Sequence, residues 1–479
     1  MDTAVDPGAH ERRHLRRVLG LGDLILLSVV AVFNLNLVPP IAAGGFPSLS
    51  LWMIGLLFFF LPQGVAVAEF VTRYPEEGGI YVWTKKTFGE FHGFLCGWLY
   101  WTTNVFYIPT LLVYLVGILV FEAGGHGDFL SENIVFQIAF ATGLLWLFTL
   151  GSIRGLGVNK WLNNLGGLAA IVTTLFLVFV GVQAFHQHRG LTAPSPSSLL
   201  PNFADWRTLS ALGVICLALV GLELGSVMGD EIQAPRRSVP RAALIGGISS
   251  GVLYVTATLM VLLALPAKEI SVVTGVMQAF KSMGATVGLD WLHLPVAIVL
   301  SVSVSGALSA WLSGASRIPF VAGVDHYLPK AFSRLHPRWQ TPHVAITAQS
   351  VASTFAILLS FVGQEVKVRE AYDILLASTV ITQLIPFVYL YASLVKRAGT
   401  PGGLYRSRWV LLLLGVCGLA ATFLALATAF IPPAEIKFVV RFEIKLMIGV
   451  GLFVGVAVAL FRGNAPQPKR PRSGPPGQS

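Results

Sequence analysis

The chain has 479 residues and a net charge of +10, and 54% of its residues are hydrophobic while only 12% are charged. That charged fraction is about half of the ~25% typical of soluble proteins, and apolar runs of about 18 or more residues, each long enough to cross a bilayer as a helix, recur along the chain. These features exclude a soluble globular protein. They also exclude a membrane β-barrel, whose strands would alternate over about ten residues.

The sequence predicts an all-α polytopic membrane protein with about 12 transmembrane helices. We expect these spans at residues 19–45, 49–71, 90–120, 133–151, 162–186, 208–232, 241–264, 289–323, 343–362, 371–396, 409–430 and 440–461. Because their number is even, both termini lie on one side. Of the 33 Lys and Arg residues, 24 fall on that side, which the positive-inside rule assigns to the cytoplasm of a cell-membrane protein. The positive charge then faces anionic lipid, and nucleic acid is not an expected partner.

The first predicted span is interrupted over residues 30–45, where Asn34, Asn36, Pro39 and Pro40 replace a uniformly apolar run. A proline inside a helix removes a backbone donor, and freed backbone groups within a bilayer must be buried in protein or line a wet cavity. This pattern favours a broken helix whose ends face a ligand. A proline kink with two asparagines packed between helices is the alternative.

The third span places Asn104 and Tyr107 near Trp101 in an apolar run. Amphipathic aromatic residues beside an amide are typical of a cavity lining. Trp98 and Tyr100 in the same run equally fit anchors at the membrane interface.

The sixth span is interrupted at residues 219–223 and carries Glu223 near its middle. A carboxylate within a membrane is costly and usually functional, so Glu223 is a candidate for proton coupling or pH sensing. The alternative is a carboxylic acid that holds neighbouring helices together. Gly221 precedes it and can expose backbone groups to a ligand.

The eighth span carries Trp311 in a row of small polar residues, where a large aromatic side chain can close over a substrate. A core tryptophan whose indole N–H binds a carbonyl is the alternative.

Two interrupted spans at matching places predict a pair of five-helix repeats, residues 19–186 and 208–396. Residues 409–461 would add two further transmembrane helices. Residues 1–18 are expected to form a cytoplasmic N-terminal segment. The Pro-, Gly- and Lys/Arg-rich residues 462–479 are expected to form a disordered cytoplasmic tail.

We identify no enzyme constellation and no Walker motif, so neither an enzyme nor an ATP-driven pump is expected. Cys96, Cys216 and Cys417 lie far apart in or beside apolar spans, without the spacing of metal ligands. The sequence therefore predicts no catalytic residue, no cofactor and no metal.

Three segments carry a family resemblance: PQGVAVAEFVTRYPEEGGIYVWTKKTFGEFHGFLCGWLYW (62–101), VGLELGSVMGDEIQAPRRSVPRA (220–242) and RIPFVAGVDHYLPKAFSRLHPRWQTP (317–342). They resemble, in order, the second and third helices, the G-F-E…N-P-x-R-x-x-P-R-A segment and the D-G-x-x-P…TP loop of the amino acid–polyamine–organocation (APC) superfamily. The bulky first break is most similar to the glutamate/GABA antiporter branch of the bacterial amino acid antiporters.

The resemblance implies a five-plus-five inverted-repeat transporter fold with two extra C-terminal helices, in which the two breaks hold the carboxylate and amino groups of a substrate. The substrate-binding positions that it implies are Phe33, Asn34, Asn104, Val220, Gly221, Leu222 and Trp311. Glu223 falls on a family glutamate linked to the pH response. Leu217 stands where arginine antiporters have an aromatic gate, so arginine specificity is not expected.

Together these observations predict a secondary active transporter of amino acids that works by alternating access, with proton coupling and exchange as open mechanisms. A polyamine or amine carrier is the alternative within transport. Several carboxylates clustered in the pocket would favour that alternative, but Glu223 is the only clear candidate. A transporter-like membrane sensor is the alternative from another class. The expected partners are an amino acid or amine, the lipid bilayer and, in a coupled mechanism, protons.

Overall fold

The computed structural model describes residues 17–124, 130, 133–187, 195–202, 206–361, 368–430 and 439–464. Its α-helices, in chain order, are α1 (Leu21–Val32), α2 (Val38–Ala42), α3 (Pro47–Gly55), α4 (Leu61–Arg73), α5 (Ile80–Phe88), α6 (Glu90–Glu122), α7 (Ile134–Arg154), α8 (Leu156–His186), α9 (Trp206–Ala218), α10 (Leu224–Val227), α11 (Pro235–Ala264), α12 (Gly275–Val287), α13 (His293–Ala315), α14 (Arg317–Val324), α15 (His343–Ser360), α16 (Val368–Arg397), α17 (Arg408–Ala429) and α18 (Val439–Asn464).

The described part of the chain confirms the predicted all-α polytopic fold. It contains 11 helical segments that are long and apolar enough to cross a membrane. The predicted span at 208–232 is not among them, because it is split into the short helices α9 and α10. The expected tail lies outside the described residues from position 465 onward.

The first span is broken between α1 and α2, as the sequence predicts. Phe33 and Asn34 are extended, and a 3-10 turn then leads into α2. Pro39 and Pro40 lie in the first turn of α2 rather than in the break. Proline is tolerated there because first-turn N–H groups have no helical acceptor.

Side chains from other helices satisfy the backbone of this break. The Tyr254 hydroxyl of α11 donates to the Val32 carbonyl at 2.7 Å and accepts from the Asn34 N–H at 2.9 Å. The Tyr372 hydroxyl of α16 donates to the Asn36 carbonyl at 2.7 Å. The open backbone is therefore held by protein, as a break within a membrane requires.

The second break lies between α9 and α10 and crosses the first at Gly221. Gly221 has a φ of +132°, and a Cβ there would lie 2.9 Å from the Ala31 carbonyl. Only glycine allows both this backbone conformation and this approach.

The helices that position the two breaks form the buried centre of the bundle. The long α6 packs against α16, α13 and α15, while α1 packs against α11, α8 and α13. The last two helices are peripheral, with only 28% of the apolar window of α17 and 11% of that of α18 buried inside the structure.

The second span contains a π-helical turn at Leu56–Phe60, between α3 and α4. The Tyr391 hydroxyl of α16 donates to the Phe59 carbonyl within that turn at 2.6 Å. The rings of Phe387 and Tyr391 both pack on Phe59. The turn is therefore fastened to α16.

One end of the bundle, which we call the terminal side, carries Leu19, α5 and Phe461. Leu19 forms an isolated parallel bridge with Ile232. Phe461 of α18 stacks on Tyr327, with ring centroids 5.3 Å apart. The first and last described helices thus meet the loops after α10 and α14 at this end.

Candidate functional site

A small, nearly closed cavity lies where the two helix breaks meet α6, α13 and α16. Its lining residues are Ala31, Asn34, Thr103, Asn104, Tyr107, Leu217, Val220, Trp311, Thr379 and Gln383. Five separate segments of the chain therefore converge on one enclosed space in the middle of the bundle.

Aromatic rings form one wall of the cavity. The indole N–H of Trp311 donates to the Ala31 carbonyl at 3.2 Å, which ties α13 to the end of α1. The Tyr107 ring meets the Trp311 ring edge-on at 5.8 Å, and the Tyr100 ring lies 6.2 Å from it. Trp311 thus lines the cavity and also makes the carbonyl contact of a core tryptophan, while its closure over a substrate stays a prediction.

Amide and hydroxyl groups line the cavity on α6 and α16. The Asn104 Nδ2 group donates to the Tyr100 carbonyl at 3.0 Å, which leaves its Oδ1 atom without a partner among the described residues. Gln383 is fully buried, and neither Oε1 nor Nε2 has a described partner. Buried polar groups in native proteins are nearly always paired, so these atoms are candidates for ligand contacts.

Asn34 is held at the edge of the first break. Its Nδ2 group donates to the Ala31 carbonyl at 2.9 Å and to the Val32 carbonyl at 3.2 Å. The side chain therefore closes the end of α1, and its position at the cavity is fixed by the break itself.

Glu223 lies beside the cavity but is not part of its lining. The fully buried carboxyl group accepts from Tyr100 at 2.9 Å, from Gln63 at 2.8 Å and from the Gly221 N–H at 3.0 Å. These three donors link Glu223 to α6, to α4 and to the second break. A change in its protonation would act directly on that break.

The structure brings together four of the seven expected substrate-binding residues: Asn34, Asn104, Val220 and Trp311 line the cavity. The other three, Phe33, Gly221 and Leu222, lie in the breaks but not among the lining residues. The Phe33 ring packs edge-on against Tyr254 at 4.8 Å.

Sequence reasoning missed Thr379 and Gln383, which line the cavity from α16. The available signal was the polar run Ser378, Thr379, Thr382 and Gln383 within an apolar span, with Thr379 and Gln383 spaced four residues apart on one helix face. Thr103 was also missed; it precedes Asn104 on α6.

Two enzyme-like spacings occur in the chain. Residues 247–251, GISSG, match G-x-S-x-G but lie inside the continuous helix α11, whereas that motif requires a strand-to-helix turn. Residues 10–14, HERRH, have the H-E-x-x-H spacing of zinc-binding helices and lie outside the described residues.

On the terminal side, a network of charged side chains connects the segment after α10 with α14 and with the loop before α5. The Arg317 Nε group donates to Glu231 Oε1 at 2.9 Å, and both side chains are buried. The Asp230 N–H donates to Glu77 Oε2 at 3.1 Å. Burial, reinforced by the nearby carboxylates of Glu231 and Asp230 and opposed by Arg317, holds the pKa of Glu77 well above its usual range.

A second ion pair connects the loop after α14 to α5. Asp325 accepts from Lys85 Nζ at 2.9 Å and from the Tyr81 hydroxyl at 2.5 Å. The loop after α14 is thus joined to α5, and through it to α6.

Comparisons with known proteins agree with this architecture. Residues 19–454 match the family model described as amino acid permease. The chain is 27% identical over 458 residues to an uncharacterized transporter of Legionella pneumophila, covering 92% of this chain and 96% of the relative. It is 26% identical over 438 residues to the glutamate/gamma-aminobutyrate antiporter of Lactococcus lactis subsp. cremoris, covering 88% and 85%. It is 25% identical over 340 residues to a probable agmatine/putrescine antiporter of Lactococcus lactis subsp. lactis, covering 71% and 72%.

Proposed function

The chain belongs to the amino acid permease family and is a secondary transporter of amino acids; within that class, we propose that it works by alternating access, either exchanging substrates or taking up a proton with its substrate. The observation that carries this proposal is the cavity between two broken helices. Transporters built from repeats place their binding site at such breaks, near the membrane midplane.

The helix ends at the cavity suit an ammonium group. Helices α1 and α9 both end there, and the carbonyls at a helix C-terminus carry partial negative charge that favours such a group. The Ala31 carbonyl at the end of α1 already accepts from Trp311 and from Asn34. Val220, which lines the cavity after α9, therefore marks the end where the amino group of a substrate would bind.

Glu223 is the proposed proton-coupling or pH-sensing residue. Its hydrogen bonds reach Tyr100, Gln63 and the backbone of Gly221, so a proton on the carboxyl group would weaken its hold on the second break. Proton coupling requires that the protonation of one group and the conformation of the binding site depend on each other. Glu223→Gln should flatten the pH dependence of uptake, while Glu269→Gln, at an exposed glutamate outside the spans, should preserve it. Unchanged pH dependence in Glu223→Gln would leave Glu223 a structural residue.

We place the protein in the cell membrane with both termini in the cytoplasm. The support is the distribution of Lys and Arg, with 24 of 33 on the side of the termini. We also propose that residues 19–186 and 208–396 are two inverted repeats. The crossing of their corresponding breaks at Gly221 supports this division.

An amine or polyamine is the second candidate substrate, because one relative is named as a probable agmatine/putrescine antiporter. A polyamine carries several positive charges, and buried charges need paired partners. The described lining of the cavity contains amides, hydroxyls and aromatic rings but no carboxylate, which favours amino acids.

Uptake into proteoliposomes tests the proposal. A panel of labelled amino acids, GABA and putrescine would be offered with an inward proton gradient, and separately to vesicles preloaded with unlabelled substrate. Gradient-driven uptake into empty vesicles would show proton symport, and uptake only into preloaded vesicles would show exchange. Putrescine transport without amino acid transport would overturn the substrate class, and no transport of any compound would contradict the proposal.

A further inference from the structure

Polar and apolar side chains line the cavity, but none of the described ones is charged. Its ten described lining residues include no Asp, Glu, Lys, Arg or His. The nearby Glu223 already accepts three hydrogen bonds from protein donors. A substrate with a charged side chain would lose its hydration without gaining a partner of opposite charge, which is strongly unfavourable. The lining therefore disfavours acidic and basic side chains.

Gln383 supplies uncharged hydrogen-bonding groups to the cavity. The side chain is fully buried, and both its acceptor and its donor end lack a described protein partner. The Thr379 hydroxyl, one turn earlier on α16, donates to the Leu375 carbonyl at 2.7 Å and so keeps its oxygen free to accept. Asn104 on the adjoining helix α6 adds a further acceptor, Oδ1.

We propose that Gln383, with Asn104 and Thr379, forms a side-chain subsite that selects amino acids with an uncharged hydrogen-bonding side chain, such as serine, threonine, asparagine and glutamine. This inference rests on the proposed function, because it presumes that the cavity binds an amino acid. A carboxamide donates and accepts at once, so it complements a hydroxyl or another carboxamide. A site with buried polar groups rejects an analogue that leaves those groups unpaired.

Apolar substrates are disfavoured for the same reason. With alanine or valine bound, the amide of Gln383 would stay buried and unpaired, and an unpaired buried polar group is costly. We therefore expect serine to bind more tightly than alanine, because it makes one more hydrogen bond. Threonine should likewise bind more tightly than valine, because it carries a hydroxyl group.

The chain provides a matched control for this glutamine. Gln349 on α15 is also fully buried, and both ends of its amide also lack a described partner. Gln349 is not among the residues that line the cavity. Substitution of either glutamine by methionine removes an unpaired amide at similar volume, but only one substitution alters the subsite.

Calorimetric titration of the purified full chain in detergent tests the inference. The ligands are serine, threonine, asparagine, glutamine, alanine, valine, glutamate, arginine and putrescine. We expect the first four to bind about tenfold or more tightly than the others, since discrimination by a hydrogen-bonding site is large. Gln383→Met should reduce the ratio of serine to alanine affinity by about tenfold, and Gln349→Met should leave that ratio unchanged.

The outcomes distinguish the subsite from the transport function. Tightest binding of an apolar or charged amino acid, or an unchanged affinity ratio in Gln383→Met, would overturn the subsite and leave amino acid transport standing. Binding of putrescine alone, or of no compound in a preparation that also fails to transport, would overturn both. The wild-type ranking decides the inference even if Gln383→Met does not fold.

Discussion

Gly221 is the residue on which the two helix breaks depend. Its φ of +132° lies in a region that other residues rarely adopt, and the Ala31 carbonyl occupies the space of a side chain. Gly225, one turn later, is a matched position of ordinary helical geometry, where a Cβ would meet only Leu24 Cδ2 at 3.7 Å.

We expect Gly221→Ala to lower stability by about 1–3 kcal/mol, the typical cost of a strained backbone position. It should also abolish or strongly reduce transport, because the breaks must separate to relieve the contact. Gly225→Ala should change both properties little. Thermal unfolding in detergent and uptake into proteoliposomes measure the difference, and equal behaviour of the two variants would contradict the role given to Gly221.

Glu77 makes a pH-dependent contribution to stability whose sign follows from its raised pKa. Between the ordinary pKa of a glutamate and the raised value, the folded chain binds a proton that the unfolded chain has lost, so stability falls as pH rises through this window. Glu77→Gln removes the titration while keeping an acceptor for the Asp230 N–H. The unfolding temperature of the variant should therefore fall less as the pH rises above the ordinary pKa range of a glutamate, about 4–5.

The neighbouring Glu76 is the control for this measurement. Its side chain is 43% exposed and pairs with Lys86 at the surface. Glu76→Gln should retain the wild-type pH profile of unfolding. A wild-type profile in Glu77→Gln would show that Glu77 does not supply the pH dependence.

At the scale of the element, the broken first helix is shaped by hydroxyl groups from its neighbours. Tyr254 contacts the backbone on both sides of Phe33, through the Val32 carbonyl and the Asn34 N–H. Tyr114 on α6 is also fully buried, but its hydroxyl has no described partner. The two tyrosines therefore separate the effect of the hydrogen bonds from that of a buried aromatic ring.

Tyr254→Phe should cost about 1–3 kcal/mol, because it leaves buried backbone groups in the break less well paired. Tyr114→Phe should change stability by less than about 0.5 kcal/mol. Denaturation of the two variants in detergent gives both values. A larger loss in Tyr114→Phe would show that α11 does not hold the break.

The sequence predicted that the first helix is broken but not where the break lies. Asn34 and the two prolines revealed an interruption in the first span, since polar and helix-breaking residues are rare in a bilayer. They did not reveal that Pro39 and Pro40 begin α2 while the break lies at Phe33 and Asn34. Where a helix starts again depends on which neighbours can satisfy the open backbone, and Tyr254 lies some 220 positions away in the chain.

The cavity was less predictable than the breaks. Asn104 and Trp311 stood out because they are polar or bulky within apolar runs. Thr379 and Gln383 share one helix face, but Ser378 and Thr382 have the same spacing of four residues, so the spacing does not show which pair faces the centre. The orientation of α16 is fixed by its packing against α6, which one span alone does not encode.

For the whole molecule, the terminal side is held closed by buried charge. Arg317 and Glu231 join the helix after α13 to the segment after α10, and their side chains are only 2% and 5% exposed. Lys86 and Glu76 form a pair at the same end whose side chains are 39% and 43% exposed. The two pairs therefore differ chiefly in burial.

Arg317→Ala should cost about 3–5 kcal/mol, because it leaves a buried carboxylate unpaired. Lys86→Ala should cost less than about 1 kcal/mol, since exposed pairs contribute little. Hydrogen exchange should rise in α5 and α10 in the Arg317 variant alone. Similar unfolding temperatures for both variants would contradict a closure held by buried charge.

The π-helical turn at Leu56–Phe60 is wider than an α-helical turn, with hydrogen bonds that reach five residues instead of four. The Tyr391 hydroxyl holds the Phe59 carbonyl and so fixes the turn in place. Because Tyr391 shares α16 with Gln383, a displacement of α16 along its axis acts on this fastening as well as on the cavity. The Tyr391–Phe59 hydrogen bond therefore connects the helix that carries Gln383 to a span that contributes none of the described lining residues.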